Sequence, residues 1–185
     1  MKGDSGFTLL EGLMAMTILS VLVALSLPRY TSLVEDQQGR LILQSIADSV
    51  ALGRTTAIKT GIPVTLCPSP DGLACQGGWL AGHLLFTDLD LDRELDSGDQ
   101  LLRYAVHPEG RGSLTWRAFQ NRQYLQITAQ GFLRRQNGSF TWCSSSGSAA
   151  GAYQLIVNGS GRMRFAVDAD GDGQREDSQG RPLPC

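Results

Sequence analysis

Lysine is all but missing: two of 185 residues, Lys2 and Lys59, both in the first third of the chain. Histidine is as scarce, with His83 and His107 alone. Neither stands in a recognisable nucleophile arrangement, and no motif places a serine, a histidine and an acid together. No catalytic residue is therefore assigned, and the chain reads as a non-enzyme. The four cysteines never form C-x₂-C pairs, which argues against structural zinc. No internal repeat is present. A formal net charge of −2 excludes a polyanion binder by bulk charge alone. No cofactor and no metal is assigned.

What is present begins with an apolar run. Residues 7–27 read FTLLEGLMAMTILSVLVALSL, with one charge, Glu11. About 20 apolar residues are needed to cross a bilayer. A secretory signal peptide usually has an apolar region of only ~7–15 residues, and a helix buried in a soluble protein is rarely apolar on every side. A retained membrane helix is the expectation. A carboxylate inside such a helix is expensive, so Glu11 reads as functional and in need of a partner.

The residues around it resemble the prepilin motif: Gly6, then Phe7-Thr8-Leu9-Leu10-Glu11, with Pro28 where pilins carry a helix-bending proline. The resemblance implies cleavage after Gly6 by a prepilin peptidase and methylation of the Phe7 amine. It also implies that Glu11, fifth in the mature chain, pairs with the positive N-terminus of a neighbouring subunit.

Beyond Pro28, Leu43, Ile46, Ala47, Val50, Ala57 and Ile58 form one apolar stripe at helical spacing, to about Lys59, where Gly61 and Pro63 end the helix. Eight short β-rich runs follow, at 62–67, 83–87, 101–106, 114–119, 124–128, 139–143, 153–157 and 162–167. Asn158-Gly159-Ser160-Gly161 is a hairpin turn signal. The fold class is α+β, a long N-terminal helix packed on antiparallel sheet. The expected organisation is a leader at 1–6, a transmembrane helix at 7–28 and its amphipathic continuation at 29–60. A periplasmic β-rich domain at 61–167 and a tail at 168–185 complete it. Four cysteines allow three pairings. Those favoured are Cys67–Cys75 across a local loop and Cys143–Cys185 as a clamp on the tail, in an oxidising compartment.

The globular part resembles the H-type pseudopilins of type II secretion and the FimT-like minor pilins. The residues concerned are Arg54-Thr55-Thr56-Ala57, 63–67, Trp79, the acidic loop from Asp88, Leu101-Leu102-Arg103 and Gly161-Arg162-Met163-Arg164. The resemblance implies a subunit of a type IV pilus or secretion pseudopilus in the bacterial inner membrane. Its partners would be other pilin or pseudopilin subunits, the prepilin peptidase and the membrane. In FimT-like pilins a Gly-Arg-x-Arg motif is implicated in binding DNA during natural transformation, so DNA is a further candidate partner through Gly161, Arg162 and Arg164.

The residues themselves leave two readings open. On a strand, Arg162 and Arg164 share one face about 7 Å apart, with Met163, Phe165 and Val167 toward the core. They lie in a stretch, 101–165, that holds eight arginines, no lysine and one acid, Glu109. Arginine suits phosphate because its planar fork makes two parallel hydrogen bonds. The other reading is a basic edge strand, or an arginine pair docking on a neighbour's acids. Two acidic stretches, Asp88–Asp99 and Asp168–Asp177, carry degenerate calcium-loop spacing. In the first, Arg93 replaces the turn glycine and an Asp ends the loop; in the second, Gln179 falls where the last ligand belongs. Solvated acidic loops are the simpler expectation, and a weak calcium site is the alternative.

Overall fold

The computed structural model describes residues 8–108 and 110–185, with side chains except at 25–29, 31 and 32. The chain forms two compact units, Met1–Val34 and Glu35–Cys185. One helix, α1, is assigned over Leu9–Thr60.

Within the first unit, Thr8 and Glu11 start the helix by mutual capping. The Thr8 amide and hydroxyl donate to Glu11 Oε2 (3.3 and 3.4 Å), and the Glu11 amide donates to the Thr8 hydroxyl. This reciprocal pattern is a capping box. Leu9, Leu10, Leu13, Met14, Met16, Ile18, Leu19, Val21, Leu22 and Val23 each expose half or more of their surface. Among the described residues no helix is long and apolar enough to cross a membrane. The apolar run itself extends beyond the described side chains at both ends.

The second unit contains the rest of α1 and eight strands: β1 Val64–Pro68, β2 Gly82–Thr87, β3 Leu101–Val106, β4 Ser113–Ala118, β5 Leu125–Ile127, β6 Gly138–Cys143, β7 Tyr153–Val157 and β8 Met163–Phe165. They make two four-stranded antiparallel sheets, sheet A in the order β3-β2-β1-β5 and sheet B in the order β4-β6-β7-β8. The helical stripe buries Ile42, Leu43, Ile46, Ala47, Val50 and Ala57 in a core shared by both sheets. Each large apolar side chain so buried contributes about 1.5–3 kcal/mol. Ile58, expected in the stripe, is 54% exposed, and Ile42 takes a place on the buried face instead. The helix stops one residue before Gly61, whose amide donates to Ala57 O at 2.9 Å with φ +73°, a left-handed cap suited to glycine.

Between the sheets Trp116 stacks on Phe140 (4.2 Å between centroids), and Trp79 meets Phe140 edge-on. Two disulfides, Cys67–Cys75 and Cys143–Cys185, are present. The second ties the last residue of the chain to the end of β6, so the tail is clamped to sheet B as expected.

Candidate nucleic-acid interface

The hairpin joining β7 to β8 is built by its turn residues. Asn158 and Arg162 close it, the Asn158 amide donating to Arg162 O at 3.0 Å. Asn158 Oδ1 accepts from the Arg162 amide and from the Ser160 hydroxyl. Gly161 adopts φ +73°, which ends a three-residue loop in the manner of a glycine bulge. It is also buried: a Cβ there would lie 2.8 Å from Gly131 O and 3.2 Å from the Arg54 side chain. The hairpin tip is further held by the Leu133 amide, which donates to Gly159 O at 2.9 Å.

This geometry presents Arg162 and Arg164 on the edge of sheet B, both exposed. Among the described residues neither guanidinium has a hydrogen bond or an ion pair; the one ion pair found is Arg181–Asp177, at 2.8 Å. The expected inward row holds only in part. Met163 is half-buried against the core, but Phe165 and Val167 are exposed. Pairing ends at Phe165, and Ala166 is buried just beyond it in a small cluster with Ala152 and Leu183 of the tail, separate from the main core.

Strand register extends the basic face. Arg164 pairs with Ile156, Ile156 with Ser139, and Ser139 with Arg117. Arg117 and Arg164 thus end one row on the outer face of sheet B, three strand spacings or roughly 14 Å apart. The row borders a groove of about 370 Å³ whose lining includes Arg117, Ser139, Asn158 and Arg181. Further along the same face Thr141 and Gln154 are buried, in the part of the groove shared with Pro184 of the tail. Asp177 reaches the groove too, but the Arg181 side chain donates to it through Nε (3.0 Å) and Nη2 (2.8 Å), and the Arg181 and Gln179 amides also donate to it. Those amide bonds, with the guanidinium, hold its carboxyl below the usual range.

Other sequence candidates lie elsewhere. Gly6 and Phe7 are outside the described residues, as is the side chain of Pro28; Glu11 caps its own helix. Asp168 accepts from the Gly171 and Gly173 amides, in an exposed loop. Asp88 is not solvated: it is fully buried where β2 ends. The two histidines, remote in sequence, meet in the core. His83 Nδ1 lies 3.0 Å from His107 Nε2, and His83 Nε2 lies 2.7 Å from the Ser49 hydroxyl. Both imidazoles are buried, which pushes His83 down to about 3, helped by His107 and Arg103; burial lowers His107 as well. A chain closed to solvent in this way braces the core and offers no reacting atom to a substrate.

Residues 43–161 match the family described as type II transport protein GspH, and residues 1–27 match the prokaryotic N-terminal methylation motif. The first match ends at Gly161, at the threshold of the arginine pair. No curated protein matches the chain. Two solved structures of the type IV minor pilin FimU of Pseudomonas aeruginosa share its fold at 17% identity. One has a TM-score of 0.53, over 72% of this chain and 91% of that one. The other has a TM-score of 0.50, over 68% and 90%. The chain belongs to the GspH family of type II transport proteins, carries the N-terminal methylation motif of pilins and has the fold of a minor pilin.

Proposed function

We propose that this minor pilin or pseudopilin is anchored in the bacterial inner membrane by residues 7–28 and binds DNA weakly, without sequence preference, through Arg162 and Arg164. In this reading residues 1–6 are a leader removed by the prepilin peptidase. Residues 29–60 continue the helix, 61–167 form the periplasmic domain and 168–185 the clamped tail. Glu11 pairs with the amino terminus of a neighbouring subunit once Phe7 is exposed. The role is structural and involves no catalysis.

The observation that carries the DNA reading is the arginine pair itself. Two like charges two residues apart at one sheet edge repel each other unless an anion meets them, and among the described residues neither has a partner. Arg117, at the far end of the same row, adds a third contact for a phosphate backbone. The Ser139 hydroxyl between them suits a phosphate or sugar oxygen, a contact that positions a nucleic acid without reading its sequence. Binding of this kind releases counterions, so affinity falls steeply with salt and lies at ~10⁻⁴–10⁻⁶ M at physiological ionic strength.

The family's description as a type II transport protein favours a second reading, in which the same arginines dock a protein and the chain scaffolds filament assembly. Fluorescence anisotropy of labelled duplex DNA, titrated with the full chain in nonionic micelles at several salt concentrations, separates the two. The DNA reading expects salt-sensitive binding that is largely lost in Arg162→Ala, Arg164→Ala and weakened in Arg117→Ala. No binding even at low ionic strength would leave the scaffold reading standing.

A further inference from the structure

We propose that the connection between β2 and β3, Asp88 to Asp99, is a calcium-binding loop in which Asp88, Asp90 and Asp92 supply carboxylate ligands. Asp88 carries the argument. It is fully buried, yet only one of its oxygens is satisfied: Oδ2 accepts from the Thr65 hydroxyl and from Gln126 Nε2 (3.2 Å), while Oδ1 has no hydrogen-bond partner. Buried carboxylates are normally paired or coordinate a metal, because an uncompensated one is costly. Among the described residues Asp88 has no basic partner.

The neighbouring acids converge on it. Asp88, Asp90 and Asp92 each offer an oxygen, and these oxygens lie within 4.8 Å of one another. Ligands bound to one calcium at 2.3–2.6 Å are separated by at most about 5 Å, so a single ion fits between the three. Without a cation, three carboxylates this close repel.

Spacing completes the loop. Counting from Asp88, positions 1, 3 and 5 are Asp88, Asp90 and Asp92, position 9 is Asp96 and position 12 is Asp99, the ligand positions of a twelve-residue calcium loop. Asp99 Oδ2 is a second buried oxygen without a partner. The sixth position normally requires glycine. Here Arg93 adopts φ +71°, the left-handed conformation that position needs, and lays its guanidinium 4.9 Å from the centre of the Tyr124 ring without forming an ion pair. Aspartate at position 12 is shorter than the usual bidentate glutamate, so affinity belongs with that of extracellular modules, ~10⁻⁴–10⁻³ M. Through Asp88 the ion would tie the loop to Thr65 of β1 and Gln126 of β5. The tail cluster Asp168, Asp170, Asp172 and Glu176 also converges. It is exposed, however, and both Asp168 oxygens are occupied by backbone amides.

The test is calorimetric titration of calcium chloride into the chelator-treated full chain in nonionic micelles, paired with thermal melts in calcium or magnesium. Wild type should bind calcium and melt at higher temperature with it than with equimolar magnesium. Asp90→Asn, Asp92→Asn, both at exposed positions, should weaken binding by about tenfold or more and remove the melting shift. Asp170→Asn, Asp172→Asn should keep both. The proposal is overturned by wild type showing no calcium-dependent heat or shift up to about 10 mM, by an equal response to magnesium, or by a full response in Asp90→Asn, Asp92→Asn. The wild-type arms decide the matter even where a variant does not fold.

Discussion

Gly39 of α1 lies directly against the indole of Trp142 in β6, leaving no room for a side chain on the helix at that point. Trp142 is fully buried, and its far edge meets Gly112 in the same way. The helix can approach sheet B this closely because both glycines omit a Cβ.

Gly39→Ala should therefore destabilise the protein, against the ordinary trend. In an exposed helix the change gains up to ~1 kcal/mol. Here the new methyl would lie 2.3–2.6 Å from indole atoms, so it belongs at the upper end of the ~1–3 kcal/mol that overpacking costs, for a net loss of ~1–2 kcal/mol. Gly53→Ala meets only the ends of the Leu85, Ile127 and Val64 side chains, at 3.0–3.1 Å, and should cost less. Urea unfolding of the two variants checks the order; Gly39→Ala as stable as wild type would contradict it.

The histidine pair predicts a pH dependence. Ser49 donates its proton to Ser45 O at 2.9 Å, so its oxygen accepts from His83 Nε2–H, and His83 Nδ1 in turn accepts from His107 Nε2–H. A second proton on His83 would have to go to Nδ1 and would break this order. His83 is held near 3 when folded, against about 6.5 when unfolded. The unfolded chain thus binds the proton first, and stability falls as pH drops from about 6.5 toward 3, at about 1.4 kcal/mol per pH unit. Between pH 7 and pH 5 His83 alone should cost ~2 kcal/mol, and His83→Gln should lose most of that slope. Equal urea stability at pH 7 and pH 5 would contradict the assignment.

Much of this fold is legible in the residues themselves. Each of the eight β-rich runs coincides with a strand to within two residues at either end, because β-branched and aromatic runs between turn residues are local signals. Partner choice is not local. Nothing near Val64 indicates that β1 lies between β2 and β5, or that Arg117 shares a row with Arg164. His83 meets His107 only because β2 pairs with β3, setting His83 opposite Ala105. Phe165 pairs with buried Leu155 yet stays 39% exposed, because β8 is an edge strand with no neighbour beyond it, whereas Val167 lies past the end of β8, where period-two alternation no longer holds. Burial of Asp88 is equally invisible in sequence, where it looks like the first of a row of solvated acids.

As a pilin-like subunit the chain should be processed at its N-terminus. Intact-mass and peptide mass spectrometry of the protein purified from the membrane of a cell with a prepilin peptidase tests it most directly. The mature chain should begin at N-methylated Phe7, lack residues 1–6 and retain Glu11. A chain that begins at Met1, or one cut beyond Leu27 so that the apolar run is lost, would contradict it.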